Sequence, residues 1–405
     1  MKHSQRIEIR KKAYELLQKE DYQKTADLFL EADQKDPLFD WYLLFLGDIY
    51  RYYLNDPSQA SFVYETCYKR GLPRFNTTTL SPLRYLLKRL SEMNYEAGKF
   101  GEAIPYFEKF ISFQPSNFHE GDFCRYADSL LKTGNKDKAI KVLTLGKQYS
   151  KSRRIRQMCK DLTGSQETIE PFPLIRAGYE RIPLQTEIIK PGMDIPALCD
   201  HYTKDLREPG DIITIASCVA ALAESRIRCI DEIVPSRFAR WLSQFVRDDN
   251  FPFGGNAPLC NPLSMQVAIR EAGAFRIFLA AAVGGILGKI FKGSGMFYRI
   301  AGEQAALIDD MPGAIPPFDY YVILGPEDSN RLSRQIKEKT GCEAAIIDAN
   351  DLNIAWAVGT SDPSQKHTIE EVMKDNPAGN GDQKTPIIVL RKACSPLHPS
   401  AGQTH

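Results

Sequence analysis

The sequence predicts a chain of two parts, an all-α repeat array over residues 1–162 and a mixed α/β domain over 172–392. Three observations predict it. A helical pattern in the first part recurs at an offset of 36 residues, and self-similarity at a fixed period of that size marks stacked helical units. Beyond Pro171 the pattern changes to short β-like runs alternating with helical segments, the signature of an α/β or mixed domain. Between them, residues 163–171 are polar and aperiodic and read as a linker, and residues 393–405 read as a tail.

The repeat is clearest where Gly98-Lys99-Phe100, Ala103-Ile104 and Phe107 recur as Gly134-Asn135-Lys136, Ala139-Ile140 and Leu143. Weaker copies hold Tyr22, Ala26, Phe29, Ala32 and Pro37, then Leu46-Gly47, Tyr50 and Ala60. These residues resemble the tetratricopeptide repeat, in which small residues sit where paired helices touch, and they imply an all-α tetratricopeptide-like superhelix. A proline ends the second helix because it lacks an N–H and clashes with the preceding turn. Two roles stay open for such an array. Its groove can hold a protein or peptide partner, or it can pack only on its own carboxy-terminal domain. The basic segment Lys147 to Lys160 reads as a solvated helix end, with a phosphate-facing patch as the alternative.

In the second part, strands are expected at Arg181–Leu184, Asp211–Ala216, Tyr320–Leu324, Ala344–Ile347 and Thr385–Val389, and helices at 234–247 and 329–340. Twice a short apolar stretch, Ala305–Ile308 and Ala344–Ile347, runs straight into carboxylates: Asp309 and Asp310 after the first, Asp348 and Asp351 after the second. Were both stretches buried strands, their acidic residues would emerge at strand ends, where α/β proteins place ligands. Two such ends side by side would suit a hard divalent cation and the phosphates it carries. The same aspartates also suit turns and helix N-caps. A polar loop, Asn376 to Pro386, brings glycines whose amides can approach an anion, with Asn380, Asp382 and Gln383 beside them. Phe251 to Asn256 is Gly-rich but lacks the spacing of a P-loop. No Ser/His/Asp or Cys/His constellation is evident, and His201 reads as an ordinary histidine.

Composition excludes several classes. A net charge of +1 gives no global electrostatic reason to expect nucleic acid or an anionic membrane as partner. A 43% hydrophobic and 25% charged chain has enough apolar surface to fold, which argues against disorder. Nine scattered cysteines without C-x-x-C read as buried thiols in a reducing compartment, hence a cytoplasmic protein, and the polar amino terminus carries no secretory signal. In 272–291, the uncharged stretch between Arg276 and Lys289 is 12 residues long. That falls short of the roughly 20 needed to span a bilayer, so a buried core element is expected.

Arg181-Ile182-Pro183-Leu184, Pro209-Gly210-Asp211-Ile212-Ile213, Ala223-Glu224-Ser225-Arg226, Val234-Pro235-Ser236, Leu307-Ile308-Asp309 and Ile347-Asp348 together resemble the coenzyme F-420-0:L-glutamate ligase family. Arg-Ile-Ala-Gly-Glu-Gln at 299–304 and the Asp348–Leu352 stretch point to a divergent bacterial branch. The resemblance implies a mixed α/β fold, pairing as a homodimer through this domain, GTP (or ATP) as co-substrate and Mg2+ or Mn2+ as metal. It implies Asp309 and Asp348 as metal ligands, helped by Asp310 and Asp351. Where the family has Ser-Lys-Ala-Glu-Gly-Arg this chain has Ala221 to Arg226, with Leu222 in place of the lysine. Where the family has Asp-Thr-Phe-Gly-Arg it has Asp348 to Leu352.

Two functional readings follow. The first is a nucleotide- and metal-dependent ligase that joins L-glutamate, or a similar amine, to a small-molecule carboxylate through an acyl phosphate. Arg299 would meet phosphate charge and Glu303 would receive the amine proton. Glu224, Arg226, Asn350, Asn380, Asp382 and Gln383 would line the nucleotide. The second is a catalytically degenerate domain acting as ligand sensor or scaffold, with the array binding a protein partner.

Overall fold

A computed structural model describes residues 1–73, 82–113, 118–150, 152–165, 174–245, 259, 261–290, 300–308, 316–350, 353–379, 381 and 383–393. The chain forms two compact units. One comprises Met1–Ile169 with Ile227–Gly325, the other Glu170–Arg226 with Pro326–His405.

The first unit opens with helices α1 (His3–Gln18), α2 (Tyr22–Lys35), α3 (Trp41–Tyr52), α4 (Pro57–Gly71), α5 (Leu83–Glu96), α6 (Phe100–Phe113), α7 (Glu120–Lys132), α8 (Lys136–Tyr149) and α9 (Arg153–Thr163). The repeated residues have a clear local meaning. Gly98 and Gly134 carry φ of 72° and 80° in the turns before α6 and α8, a conformation that glycine adopts without a Cβ penalty. Five residues on, Ala103 and Ala139 are fully buried, the small residues that let helices approach. Pro37 follows the end of α2 as expected. Two apolar clusters fill the array. One contains Phe107, Phe123 and Leu143 from α6 to α8. The other, around Trp41, Phe45 and Tyr85, draws in residues from far along the sequence.

Those distant residues belong to 227–325. The sequence reading placed this segment with the carboxy-terminal domain, whereas by packing it belongs with the array. It starts on β4 (Ile227–Cys229) and returns on β5 (Tyr321–Ile323), paired antiparallel with Ile227 opposite Ile323. For clarity, β1–β3 (Ile175–Arg176, Tyr179–Leu184, Ile212–Ala216) and helices α10 (Ile195–Thr203) and α11 (Ser217–Ala223) precede it in the chain. The segment also holds α12 (Arg237–Ser243), α13 (Pro262–Ala272), α14 (Ala274–Ile290) and the short α15 (Glu303–Ala306).

Tyr320 sits with its ring 6.2 Å from Trp41, 5.2 Å from Phe45 and 5.9 Å from Tyr85. Arg10 of α1 bonds Asp231 at 2.6 Å. Arg89 of α5, fully buried, holds Asp48 of α3 at 2.9 and 3.1 Å and Asp319 at 2.7 and 2.8 Å. Tyr64 donates its hydroxyl to the same Asp48. Of the two roles left open for the array, packing on the chain's own later residues is thus realised around α1–α5.

A specific protease site placed between residues 165 and 174 tests this. After cutting, the two fragments are expected to co-elute on gel filtration in native buffer and to separate only in denaturant, because Asp231, Asp319 and Tyr320 lie beyond the cut and pack before it. Separation in native buffer would refute it.

Two local expectations are corrected within this segment. Ala305–Ile308 is not a strand: Gly302 O accepts from Ala305 N–H and Ala306 N–H at 3.1 Å, starting the helical turn α15. Ala305 and Ala306 favour helix, and one turn buries Leu307 and Ile308 without sheet partners. The doubled strand-to-carboxylate pattern therefore exists once, not twice. The expected buried core element at 272–291 is, over its described part, the helix α14 (Ala274–Ile290), which is not wholly buried. Ile277 and Ala280 face inward while Phe275 is 78% exposed and Phe278 47%. Among the described residues no helix is long and apolar enough to cross a membrane.

The second unit is a six-stranded mixed sheet in the order β1-β2-β8-β3-β6-β7, completed by β6 (Glu343–Asn350), β7 (Ile354–Thr360) and β8 (Ile387–Lys392). Only β3 and β6 run parallel among its pairings. Strand alternation sends side chains to opposite faces. Ile213, Ile215, Ala344, Ile346 and Ile387 pack under α10, α11 and α16 (Ser329–Thr340). Ile212, Ala345, Ile347, Ile388 and Leu390 pack against Ile369, Val372 and Met373 of α17 (Lys366–Met373). Arg181, buried in β2, is paired with Asp375. The strands expected near 181–184, 211–216, 344–347 and 385–389 are all present, and α16 matches the expected 329–340. Strand β7 was not anticipated.

Gly359 of β7 shows how tightly this unit is packed. A Cβ there would fall on the backbone carbonyl of Ser329, at the start of α16. Backbone cannot step aside as a flexible side chain can, so Gly359→Ala is expected to cost at least the 1–3 kcal/mol, roughly, of an overpacked core. Chemical denaturation of wild type and variant measures it; equal midpoints would refute the contact.

Candidate functional site at the carboxyl ends of two parallel strands

In the second unit, the ladder between β3 and β6 closes with Ala216 opposite Ile347. Asp348 is the next residue of β6, still paired with Trp356 of β7. It is therefore neither a turn residue nor an N-cap but a strand residue beyond the reach of the parallel neighbour, and it is exposed. Asn350, two residues on, shares its face by strand alternation and stands opposite Ile354.

The polar loop arrives at the same end. Strand β8 is antiparallel to β3, with Ile215 opposite Ile387, and Ala216 N–H donates to Pro386 O at 3.0 Å. The start of β8, and the loop preceding it, thus lie beside the finish of β3. That loop is internally braced: Thr385 Oγ1 donates to Ala378 O at 2.9 Å, and Lys384 N–H to Gly381 O at 2.9 Å. Asn376, Gly379, Gly381 and Lys384 all have positive φ, which curls the backbone. Exposed Gln383 lays its side chain over Gly379.

Glu224 and Arg226 follow α11, which itself starts directly after β3. Glu224 Oε2 accepts from Glu327 N–H at 2.7 Å, so it ties together the two points where the chain leaves and re-enters this unit. Arg226 N–H donates to Ala221 O at 2.8 Å in the turn closing α11. Leu222, at the position of the family lysine, is buried, 6% exposed.

The structure thus brings Asp348, Asn350 and the loop bearing Gln383 to one end of one sheet. Arg299, Asp309, Asp310, Asp351, Asn380 and Asp382 lie outside the described residues, as does the side chain of Glu303. Among the described residues no three His, Cys, Asp or Glu side chains group as a metal set. The donors at this end, a carboxylate and amide oxygens, are of the type a hard cation takes. Sequence reading passed over Ser217 and Cys218, placed directly after β3. Their signal is the parallel pairing with β6, which no local pattern encodes. Of the seven described cysteines, six are buried, as expected.

Residues 183–365 match the family model F420-0:Gamma-glutamyl ligase. The Coenzyme F420:L-glutamate ligase of Methanopyrus kandleri is 30% identical over 184 residues, 44% of this chain and 59% of that protein. The chain thus spans about three fifths of the length of that relative. Among solved structures, a tetratricopeptide repeat protein from Parabacteroides merdae aligns with a TM-score of 0.32 at 18% identity, over 39% of this chain and 59% of that one. MamA MSR-1 C2 aligns with a TM-score of 0.30 at 16% identity, over 40% and 88%. The repeat character of α1–α9 rests on the helices themselves. The matched segment contains β3, β6 and Asp348 as well as the residues that pack on the array, so family boundaries and packing units divide the chain differently. At residues 183–365 the chain carries an F420-0:Gamma-glutamyl ligase family domain, following a tetratricopeptide-like helical array.

Proposed function

We propose that this domain joins L-glutamate, or a similar amine, to a small-molecule carboxylate at the expense of GTP or ATP. The observation that carries the reading is the ligase family match over residues 183–365, which include Asp348 at the end of β6, with a glycine-bearing loop at the same end of the sheet. A carboxylate is a poor electrophile and must first be converted to an acyl phosphate. Its oxygen takes the terminal phosphoryl group and the nucleoside diphosphate leaves. The amine then attacks the acyl carbon, phosphate departs, and the amine proton goes to a base, for which Glu303 is the candidate.

Phosphate charge must be countered throughout. Arg299 and the loop amides of 376–386 are suited to that, with Arg226 and Gln383 on the nucleotide side. Asp348, with Asp309, Asp310 and Asp351, would hold Mg2+ or Mn2+, which supplies charge neutralisation between phosphate oxygens. A homodimer through the ligase-like domain belongs to the same reading.

Thermal-shift and calorimetric titration with GTP and ATP, each with Mn2+ or Mg2+, tests it. A ligand that binds only the folded state raises apparent stability, so a metal-dependent upward shift is expected. No shift with any pair, and no nucleoside diphosphate release with glutamate present, would overturn it. A second reading, a ligand sensor or scaffold without turnover, is favoured by buried Leu222 at the lysine position. It predicts binding without diphosphate release.

A further inference from the structure

Within the first unit, α12 and α14 expose an apolar face that the repeat and ligase readings leave unused. Val234, Trp241, Phe245, Phe275, Phe278 and Leu279 are each 42–78% exposed. The rings are contiguous: the partly buried Phe238 ring lies 6.1 Å from Trp241 and 6.4 Å from Phe278, and Trp241 lies 4.9 Å from Phe245. On α12 Phe238 and Trp241 stand three residues apart, with Phe245 just past the helix end, while Ala239 and Leu242 turn inward to the core. Large exposed aromatics gathered on one face mark a contact surface rather than ordinary surface scatter.

Among the described residues of Ile233–Phe245 and Gly273–Ile290 the exposed charges are cationic: Arg237 and Arg240 flank Phe238 and Trp241 in sequence, and Arg276, whose Nε donates to Ile300 O at 2.8 Å, follows Phe275. Glu271, just before α14, is paired with Arg228 at 3.8 Å. The global charge of +1 therefore conceals a local cationic and aromatic face. Apart from the indole N–H of Trp241, its six exposed apolar side chains offer no directional hydrogen-bonding group. That fits an occupant that is apolar below and anionic above rather than one read by specific polar contacts. Aromatic rings seated at headgroup level with arginines beside them are the physical recipe for interfacial attachment.

We infer that this face docks the protein reversibly on an anionic lipid surface, with the rings of α12 and the first turns of α14 entering the headgroup zone. Such contact is peripheral and needs no spanning helix. It is independent of the proposed ligase chemistry.

Vesicle flotation with the full-length protein tests it, using phosphatidylcholine vesicles with and without about one third phosphatidylglycerol, chosen so that several arginines can be matched at low salt. The expected result is flotation with anionic vesicles only, lost at high salt, with a blue shift of Trp241 emission. Trp41 is buried and Trp356 is half-buried, so loss of the shift in Trp241→Ser assigns it to Trp241. Trp241→Ser with Phe275→Ser should reduce flotation at least tenfold, and Arg237→Gln with Arg240→Gln should remove the preference for anionic lipid. Circular dichroism of the variants checks that these exposed substitutions leave the fold intact. Absence of flotation with either vesicle would overturn the inference. So would a dimer in sedimentation analysis that the Trp241 and Phe275 substitutions dissociate, since a second copy would then own the face.

Discussion

Replacing Arg89 by leucine is expected to destabilise the first unit by about 3–5 kcal/mol, the cost of leaving buried charge without its partner. Asp48 and Asp319 share this one guanidinium, and all three side chains are excluded from solvent. Burial would push the Asp319 carboxyl up, but the Arg89 charge and its hydrogen bonds outweigh that and hold it below its ordinary 3.8. Asp48 goes the other way, since burial raises it despite Arg89 and the Tyr64 hydroxyl. A carboxylate with a lowered folded pKa contributes stability above its unfolded value and loses it as pH falls through the folded one. The Asp319 half of the network should therefore be fully effective at neutral pH and fade in acid, below about pH 4, while Asp48 contributes nothing to that loss.

The control is the triple change Arg89→Leu, Asp48→Leu, Asp319→Leu. Removing every charge at once also removes the unpaired ones, so much of the loss should be recovered. Differential scanning calorimetry of the three proteins gives the order wild type, triple, single. A single variant as stable as wild type would mean that the residues around Asp319 are not anchored by α3 and α5.

The second large effect is on ligand binding. Asp348→Asn is expected to abolish metal-dependent GTP or ATP binding while leaving the fold unchanged. The carboxylate is exposed at the end of β6, so its loss removes a charged oxygen ligand but no core packing. Asparagine keeps the shape and gives up the charge that a hard cation requires. Asp309→Asn should behave alike if both hold one ion, and the apo protein can gain stability where facing carboxylates no longer repel. Isothermal titration with Mn2+ and GTP on wild type and both variants decides the matter. Variants that bind as well as wild type would remove Asp348 from the site.

Much of this was legible in the residues. Gly98 and Gly134 at a 36-residue offset, with Ala103 and Ala139 behind them, specify helical hairpins because the turn needs positive φ and the helix contact needs small side chains. The strands β3, β6 and β8 announced themselves as apolar runs, since a strand covered on both faces has no polar side. Ile354–Thr360 is also an uncharged run, but its Ala355, Ala357 and Gly359 are residues that strands disfavour, which masks the signal. Ala305–Ile308 misled because a short apolar stretch fits one turn of helix as well as a strand.

The chain by itself determined where helices, turns and buried strands form, because propensity, periodicity and turn chemistry act over a few residues. Residues 183–365 also carry enough sequence to match the F420-0:Gamma-glutamyl ligase family model. Only the tertiary structure decided that 227–325 packs with the array, since Arg89 with Asp319 and Phe45 with Tyr320 are contacts across more than two hundred residues that no local pattern encodes. Likewise, only the sheet order placed Asp348 and the 376–386 loop at one end. That convergence depends on β3 lying between β6 and β8, parallel to one and antiparallel to the other, and strand neighbours are chosen by how whole faces bury rather than by any residue alone.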